Sequence, residues 1–359
     1  MIAQTTEKKL QSLIDSLTTA ANFPGFSTAI VYDNNTSAAF VSGSADIALK
    51  KPMKTTDMML QGSVGKTYLA ALTMRLIKEG KIDLEEKVSK YLGDLPWYSR
   101  IPNAADITIK MLMTHTSGVM RYEFKESFTR DLSAHPEKYW APSDLLQYVL
   151  DEKASFKAGE GWEYSDTNYI LLGMIVEKIT GKRYYDLVSE KILIPLKLDH
   201  THPSDSRILK GLIQGYAGND NPFGGKNEVI GSDGKFIINP QFEWTGGGMY
   251  STTSDLSRWA KLMYEGKAFD TSMVTLMIES AVPAKLGRDT KYGLGVIVRN
   301  TPYGPAYGHS GFFPGYMTEM YYFPKQRIAI AVQINSSDFK QLKSSAYRSL
   351  LLIAEAVLK

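Results

Sequence analysis

The sequence predicts an α/β chain of the α+β type, an antiparallel sheet flanked by helices with a mainly helical domain inserted between the sheet's two halves. Three observations predict it. Two β-prone segments joined by a turn lie near the start, a run of further β-prone segments lies near the end, and helical periodicity dominates between them. The sheet domain is expected at residues 1–85 together with 275–359, and the helical insert at 86–274.

Lys8 to Ala21 spaces Leu10, Leu13, Ile14 and Leu17 as one face of an amphipathic helix. Phe26–Tyr32 and Ala38–Val41 flank Asp33-Asn34-Asn35 and read as a hairpin. Thr67 to Lys78 is a helix with Leu69, Leu72, Leu76 and Ile77 on its apolar face and Gly80 as its C-terminal cap. Helical periodicity recurs at 107–114, 142–150, 167–180, 184–191 and 255–264. The Gly/Asn/Asp-rich stretch 211–239 reads as long loops, either the rim of a site or an insertion of no consequence. Strands are expected at 294–298, 306–308, 316–323 and 328–334, and a closing helix at 340–358.

Bulk numbers exclude several classes. With 43% hydrophobic and 22% charged residues the 359-residue chain is an ordinary globular one. A net charge of +3 without a Lys/Arg run argues against nucleic acid as a partner. The absence of cysteine removes thiolate nucleophiles and Cys-based zinc sites. No apolar run approaches the roughly 20 residues of a membrane span. The N-terminus has no hydrophobic signal core. A trimmed leader would make the protein periplasmic or secreted, and a cytoplasmic address fits the same residues.

Ser63-Val64-Gly65-Lys66 stands where a turn enters the helix from Thr67. Residues three apart share a face, so the Ser63 hydroxyl and Lys66 amine can meet. An alcohol needs a base to become a nucleophile, and a lysine in low dielectric can serve. Alone, Ser-x-x-Lys is a common tetrapeptide, equally a solvated lysine near a helix start. Tyr164 precedes a helix whose N-cap is Asp166 or Thr167, and it is either a proton relay facing a cleft or a packing residue. His309-Ser310-Gly311-Phe312 lies in a strand region. Its small Ser310-Gly311 pair lets a substrate backbone lie against the strand, and the Phe312 amide can join the Ser63 amide as an oxyanion hole. His309 itself is either functional or a satisfied structural histidine. His200-x-His202 lacks a third ligand, so no metal is expected. Trp244, before a glycine run, is a candidate wall of the substrate pocket.

These elements, in this order, resemble the class C β-lactamase superfamily, which includes D-Ala-D-Ala carboxypeptidases, D-aminopeptidases and related esterases. Met111–Gly118, Pro195–Leu198, Gln214–Tyr216 and Gly246–Thr252 are similar to further family segments, so the resemblance covers nearly the whole chain. It implies a β-lactamase/transpeptidase-like fold and a cofactor-free serine acyl hydrolase. Ser63 would be acylated, with Lys66 and Tyr164 sharing the proton work, Tyr164 as tyrosinate or as a relay. The Ser63 and Phe312 amides would form the oxyanion hole, and His309 would line the cleft beside Tyr164 and orient substrate. His115 falls in a segment that is structural in character. Two departures stand out. The family's Tyr-x-Asn is Tyr164-x-Asp166 here, and an ionised Asp166 offers only acceptors, as a substrate contact or merely as a helix cap. The Lys-Thr-Gly of true β-lactamases is His309-Ser310-Gly311, which removes a permanent cation. Small carboxylic esters or D-amino-acid peptides are therefore the expected substrates. A β-lactamase, or a catalytically silent binding or sensor protein on the same fold, is the alternative.

Overall fold

The computed structural model describes residues 2–219, 221, 223 and 225–358. Its centre is a nine-stranded sheet in which every neighbouring pair is antiparallel. In chain order the strands are β1 (Gly25–Val31), β2 (Ser37–Asp46), β3 (Lys51–Pro52), β4 (Met59–Leu60), β5 (Thr201–Pro203), β6 (Met249–Ser251), β7 (Val282–Pro283), β8 (Thr290–Tyr292), β9 (Ile297–Thr301), β10 (Gly304–Phe313), β11 (Tyr316–Phe323) and β12 (Ile328–Ile334). The large sheet runs β3-β2-β1-β12-β11-β10-β9-β8-β7, and β4-β6-β5 form a small second sheet. The two chain ends meet where β1 pairs with β12, Phe26 opposite Ile334 and Val31 opposite Ala329.

Both central strands are buried along their full length. They therefore read as continuous apolar runs rather than as alternating ones. On β12 the pleat still sorts the side chains. Ile330, Val332 and Ile334 join one core with Leu10, Ile14, Leu350 and Ile353, from the helices Ile2–Ala21 and Ala346–Leu358. Ala329 and Ala331 face the second core with Val64, Leu69, Tyr169 and Trp259. The helix Thr253–Tyr264 lies against β1, β11 and β12 and reaches across to the helix Lys66–Lys78. Trp259 Nε1 donates to Thr67 Oγ1 at 2.8 Å, and its ring stacks on Tyr68. The residues after Ser63 are thus braced from behind.

The structure moves some element limits. The helix expected at 142–150 ends at Leu146, giving way to turns that close at Asp151 in the left-handed region. The strand expected at 294–298 starts at Ile297, because Gly293–Gly295 forms a turn with Gly295 at φ +81°. The closing helix begins at Ala346, since Asp338 first holds the amides of Lys340, Gln341 and Leu342 in a turn. Residues 211–239 carry only isolated bridges among the described residues, and the described residues include no helix long and apolar enough to cross a membrane.

Candidate functional site

Ser63 lies in a single 3-10 turn, Gly62–Gly65, that leads into the helix Lys66–Lys78. In such a turn residues three apart eclipse one another. Lys66 Nζ accordingly stands 3.1 Å from Ser63 Oγ, and the Lys66 side chain is fully enclosed. The turn is wedged between two backbones. A Cβ on Gly311 would lie 1.8 Å from the Gln61 carbonyl oxygen, and one on Gly62 would lie 2.3 Å from that of Phe312. Side chains at these positions would push β10 off the nucleophile. The Phe312 backbone therefore lies against Gly62, the residue preceding Ser63. β9 pairs with β10 only as far as Gly308, so His309–Phe313 are laddered on the β11 side alone.

Lys66 has two further acceptors, Asp166 Oδ1 and the Gly246 carbonyl. Asp166 is the first residue of the helix Asp166–Thr180, and Ser165 occupies the N-cap with no side-chain cap bond. The cap role considered for Asp166 or Thr167 is thus replaced. Asp166 instead bridges Lys66 and Arg121, whose Nη2 is 3.3 Å from Oδ2, and Thr167 Oγ1 donates to the Met120 carbonyl. Arg121 also binds Glu123 at 2.6 Å. Burial alone would raise the Asp166 carboxyl, but the Lys66 and Arg121 charges hold it well below the usual range. Glu123 and Glu243 go the other way. Burial, then the Asp166 charge, pushes Glu243 up to about 8 and Glu123 well above an ordinary carboxylate. Each leaves an enclosed Oε2 without a partner among the described residues.

Tyr164 lies over this cluster, its ring 4.9 Å from Lys66 Nζ. Its hydroxyl is enclosed and makes no hydrogen bond of good geometry among the described residues. Burial, then the Asp166 charge, holds its proton on well above the usual phenol range, with Ser63 acting in the opposite sense. Beneath it His115 is held in a left-handed turn, φ +61°, that ends the helix Ile109–Thr114. Its ring packs 4.2 Å from Tyr164, and Nδ1 accepts from the Ser165 amide, the packing and hydrogen-bonding role expected of it.

His309 is 1% exposed. Nδ1 lies 2.7 Å from the Ser310 carbonyl and must donate there, so Nε2 accepts from the Tyr292 hydroxyl at 2.9 Å. Burial, then the Lys66 charge, pushes His309 down to about 3. Both ring nitrogens are engaged inside the protein, so the expected cleft-lining contact with substrate is replaced by a neutral support beneath Tyr164. Ser310 is likewise committed, its hydroxyl donating to Glu319 at 2.6 Å. Trp244 corrects another expectation. It is 6% exposed and packs edge-on against Tyr184 in the core, not in a pocket wall. Its backbone matters instead. At φ +37° and ψ −116° it turns the chain two residues ahead of the Gly246 carbonyl that meets Lys66. His202 packs near Tyr250, and no group of three or more His, Asp or Glu residues that would hold a metal occurs among the described residues.

Arg121, Glu123, Glu243 and Tyr292 carry no mark in the sequence. The only local signal is the glycine run after Trp244, which announces close backbone approach without saying to what.

Residues 10–355 match the Beta-lactamase family. Penicillin-binding protein 4* of Bacillus subtilis (strain 168) is 29% identical over 339 residues, 88% of this chain and 69% of that one. Teichoic acid D-alanine hydrolase of Staphylococcus aureus (strain NCTC 8325 / PS 47) is 26% identical over 302 residues, 82% of this chain and 67% of that one. Among solved structures, D-amino acid amidase from Ochrobactrum anthropi SV3 aligns with a TM-score of 0.84 at 23% identity, covering 98% of both chains. D-stereospecific amidohydrolase from Streptomyces sp. aligns with a TM-score of 0.80 at 22% identity, covering 96% of this chain and 97% of that one. The fold, the Ser63–Lys66 pair at its centre and a match over almost the full length agree, and the chain belongs to the Beta-lactamase family of serine hydrolases.

Proposed function

We propose that the protein cleaves small carboxylic esters or D-amino-acid amides and peptides through an acyl-enzyme on Ser63. The observation that carries this reading is the 3.1 Å approach of Lys66 Nζ to Ser63 Oγ inside an enclosed polar cluster. Ser63 Oγ attacks the carbonyl carbon, and its proton passes to the Lys66–Tyr164 pair. The amides of Ser63 and Phe312 receive the developing oxyanion. Tyr164, whose proton is held on, suits the relay role rather than a standing tyrosinate, and returns a proton to the leaving group. Water then attacks the acyl-enzyme by the reverse path. The names of the D-alanine hydrolase and the D-amino acid amidase support a D-amino-acyl group. A neutral His309 offers no permanent cation for a substrate carboxylate, which ranks β-lactams last.

Intact mass after incubation with a fluorophosphonate probe tests the nucleophile. One adduct is expected on the wild type and none on Ser63→Ala. Labelling that survives in the variant would remove Ser63 from its role, and a protein with neither labelling nor turnover would be a binding protein. A panel of nitrocefin, p-nitrophenyl butyrate and a D-Ala-D-Ala peptide then ranks the substrates. Nitrocefin turned over far faster than the others would overturn that order.

A further inference from the structure

We infer that the exposed phenylalanines Phe312 and Phe339 form a subsite for the acyl group of the substrate, and that it selects acyl groups carrying an uncharged aromatic ring. This rests on the reading of Ser63 as nucleophile with the Phe312 amide in its oxyanion hole. Phe312 is 41% exposed and Phe339 68%. Their rings stack on each other, with centroids 5.9 Å and planes 17° apart. No other two exposed phenylalanine, tyrosine or tryptophan rings stack in this way among the described residues. A paired aromatic surface left open to water beside a nucleophile is ready to cover a ligand.

Both rings are held in place by the fold. Successive side chains of β10 face opposite sides of the sheet. Phe313 turns into the core, packing on Phe236 and Phe242 at 5.6 and 5.9 Å. Phe312 turns the other way, onto the face that Ser310 shares. Phe339 is brought to it by a braced loop. Ser337 Oγ accepts from the Gly315 amide at 2.9 Å, which ties the loop to the turn between β10 and β11. The Ser337 amide donates to the Tyr216 carbonyl at 2.8 Å, and the Phe339 amide donates to the Ser337 carbonyl at 3.0 Å. A surface set in advance loses little freedom when a ligand covers it.

The direction of the reaction assigns the pair to the acyl side. The substrate carbonyl oxygen lies at the Phe312 amide. Tyr164, which returns a proton to the leaving group, packs beside His309, three residues earlier on β10, with ring centroids 6.2 Å apart. The leaving group departs toward His309, so the acyl group runs on past Phe312. The same face offers no free cation to an anionic acyl group. Arg299 spends its guanidinium on the Tyr321 hydroxyl at 2.7 Å and over the Tyr347 ring at 4.2 Å. The Ser310 hydroxyl is bound to Glu319 at 2.6 Å. What remains open is aromatic, and a flat ring meets it best.

Hydrolysis of p-nitrophenyl acetate, p-nitrophenyl 3-phenylpropanoate and 2-naphthyl acetate would be compared in the wild type, Phe339→Ala, Phe339→Trp, Phe312→Leu and Ser63→Ala, with melting temperatures and sedimentation taken alongside. The readout is the ratio of kcat/KM for the 3-phenylpropanoate to that for p-nitrophenyl acetate. It is expected to fall about fivefold in Phe339→Ala and to hold in Phe339→Trp. Phe312→Leu keeps the backbone amide and is expected to lower the same ratio, which decides the matter if Phe339→Ala does not fold. An equal loss on both p-nitrophenyl esters would make the rings merely structural and overturn the inference. A fall confined to 2-naphthyl acetate would put them on the leaving-group side and overturn it too. So would a wild-type dimer that Phe339→Ala dissociates at an unmoved ratio, since the rings would then join two copies of the chain. An unmoved ratio with Ser63→Ala inactive rejects the subsite alone. Activity surviving in Ser63→Ala rejects the nucleophile reading, and the subsite with it.

Discussion

At the level of single residues, His309 shows how a motif position can keep its place and change its work. Its Nδ1 is taken by the neighbouring carbonyl, so Nε2 depends on one donor, the Tyr292 hydroxyl at 2.9 Å. Tyr292→Phe would leave that enclosed acceptor unpaired, at a cost of about 1–3 kcal/mol. A urea titration should show a lower midpoint at unchanged slope. An unmoved midpoint would mean that Nε2 finds another donor. Ser63, Lys66 and Tyr164 are legible in the sequence because each carries a local spacing or a flanking helix signal. Arg121 meets Asp166 from 45 residues away, and Tyr292 meets His309 from 17. No local pattern marks such partners, and an arginine or a tyrosine reads the same whether it is enclosed or solvated.

Among the elements, those with a long, uniform environment are readable. β11 and β12 appear in the structure with the limits expected from their apolar runs, 316–323 and 328–334. The two-residue strands β3, β4 and β7 escape a reading of the sequence, since two residues carry no periodicity. One short element holds the site together. The 3-10 turn Gly62–Gly65 sits between β10 and the 246–248 segment, and glycines make each approach possible. Gly311→Ala puts a methyl group 1.8 Å from the Gln61 carbonyl oxygen, and neither atom belongs to a flexible side chain. The strand must shift, carrying the Phe312 amide with it. A displacement of about 1 Å is enough to cost about 100-fold in rate. Fluorophosphonate labelling of Gly311→Ala should be slower by at least that factor, while far-UV circular dichroism stays native. Labelling at the wild-type rate would show that β10 gives way without disturbing the nucleophile.

Across the whole molecule, the sheet closes by pairing β1 with β12, and the site is enclosed where β10 meets the 3-10 turn Gly62–Gly65 and Asp166 reaches Lys66. That enclosure leaves titratable groups buried, and their shifts act on stability in opposite directions. His309 is neutral down to about pH 3 in the folded chain, whereas an unfolded histidine takes a proton near 6.5. Between those values the unfolded state binds more protons, so stability falls as the pH drops below about 6.5. Glu243 behaves in the reverse sense. Folded, it keeps its proton up to about 8; unfolded, it loses it near 4.3. Over that range the folded state binds more protons, so stability falls as the pH rises. Glu123, held well above the ordinary value, adds to this trend. Asp166 lies outside the contest, since its depressed carboxyl matters only below about pH 4. From about pH 4.5 to 6.5 the histidine and glutamate slopes oppose each other. Above 6.5 only the glutamates remain, at up to about 1.4 kcal/mol per pH unit for each group, an upper bound for Glu243 because it keeps some exposed surface. The melting temperature should therefore be highest in mildly acidic buffer and decline from pH 6.5 to 8, a decline that Glu243→Gln should flatten. A melting temperature that rises across that interval in the wild type would show that Glu243 is ionised in the folded protein.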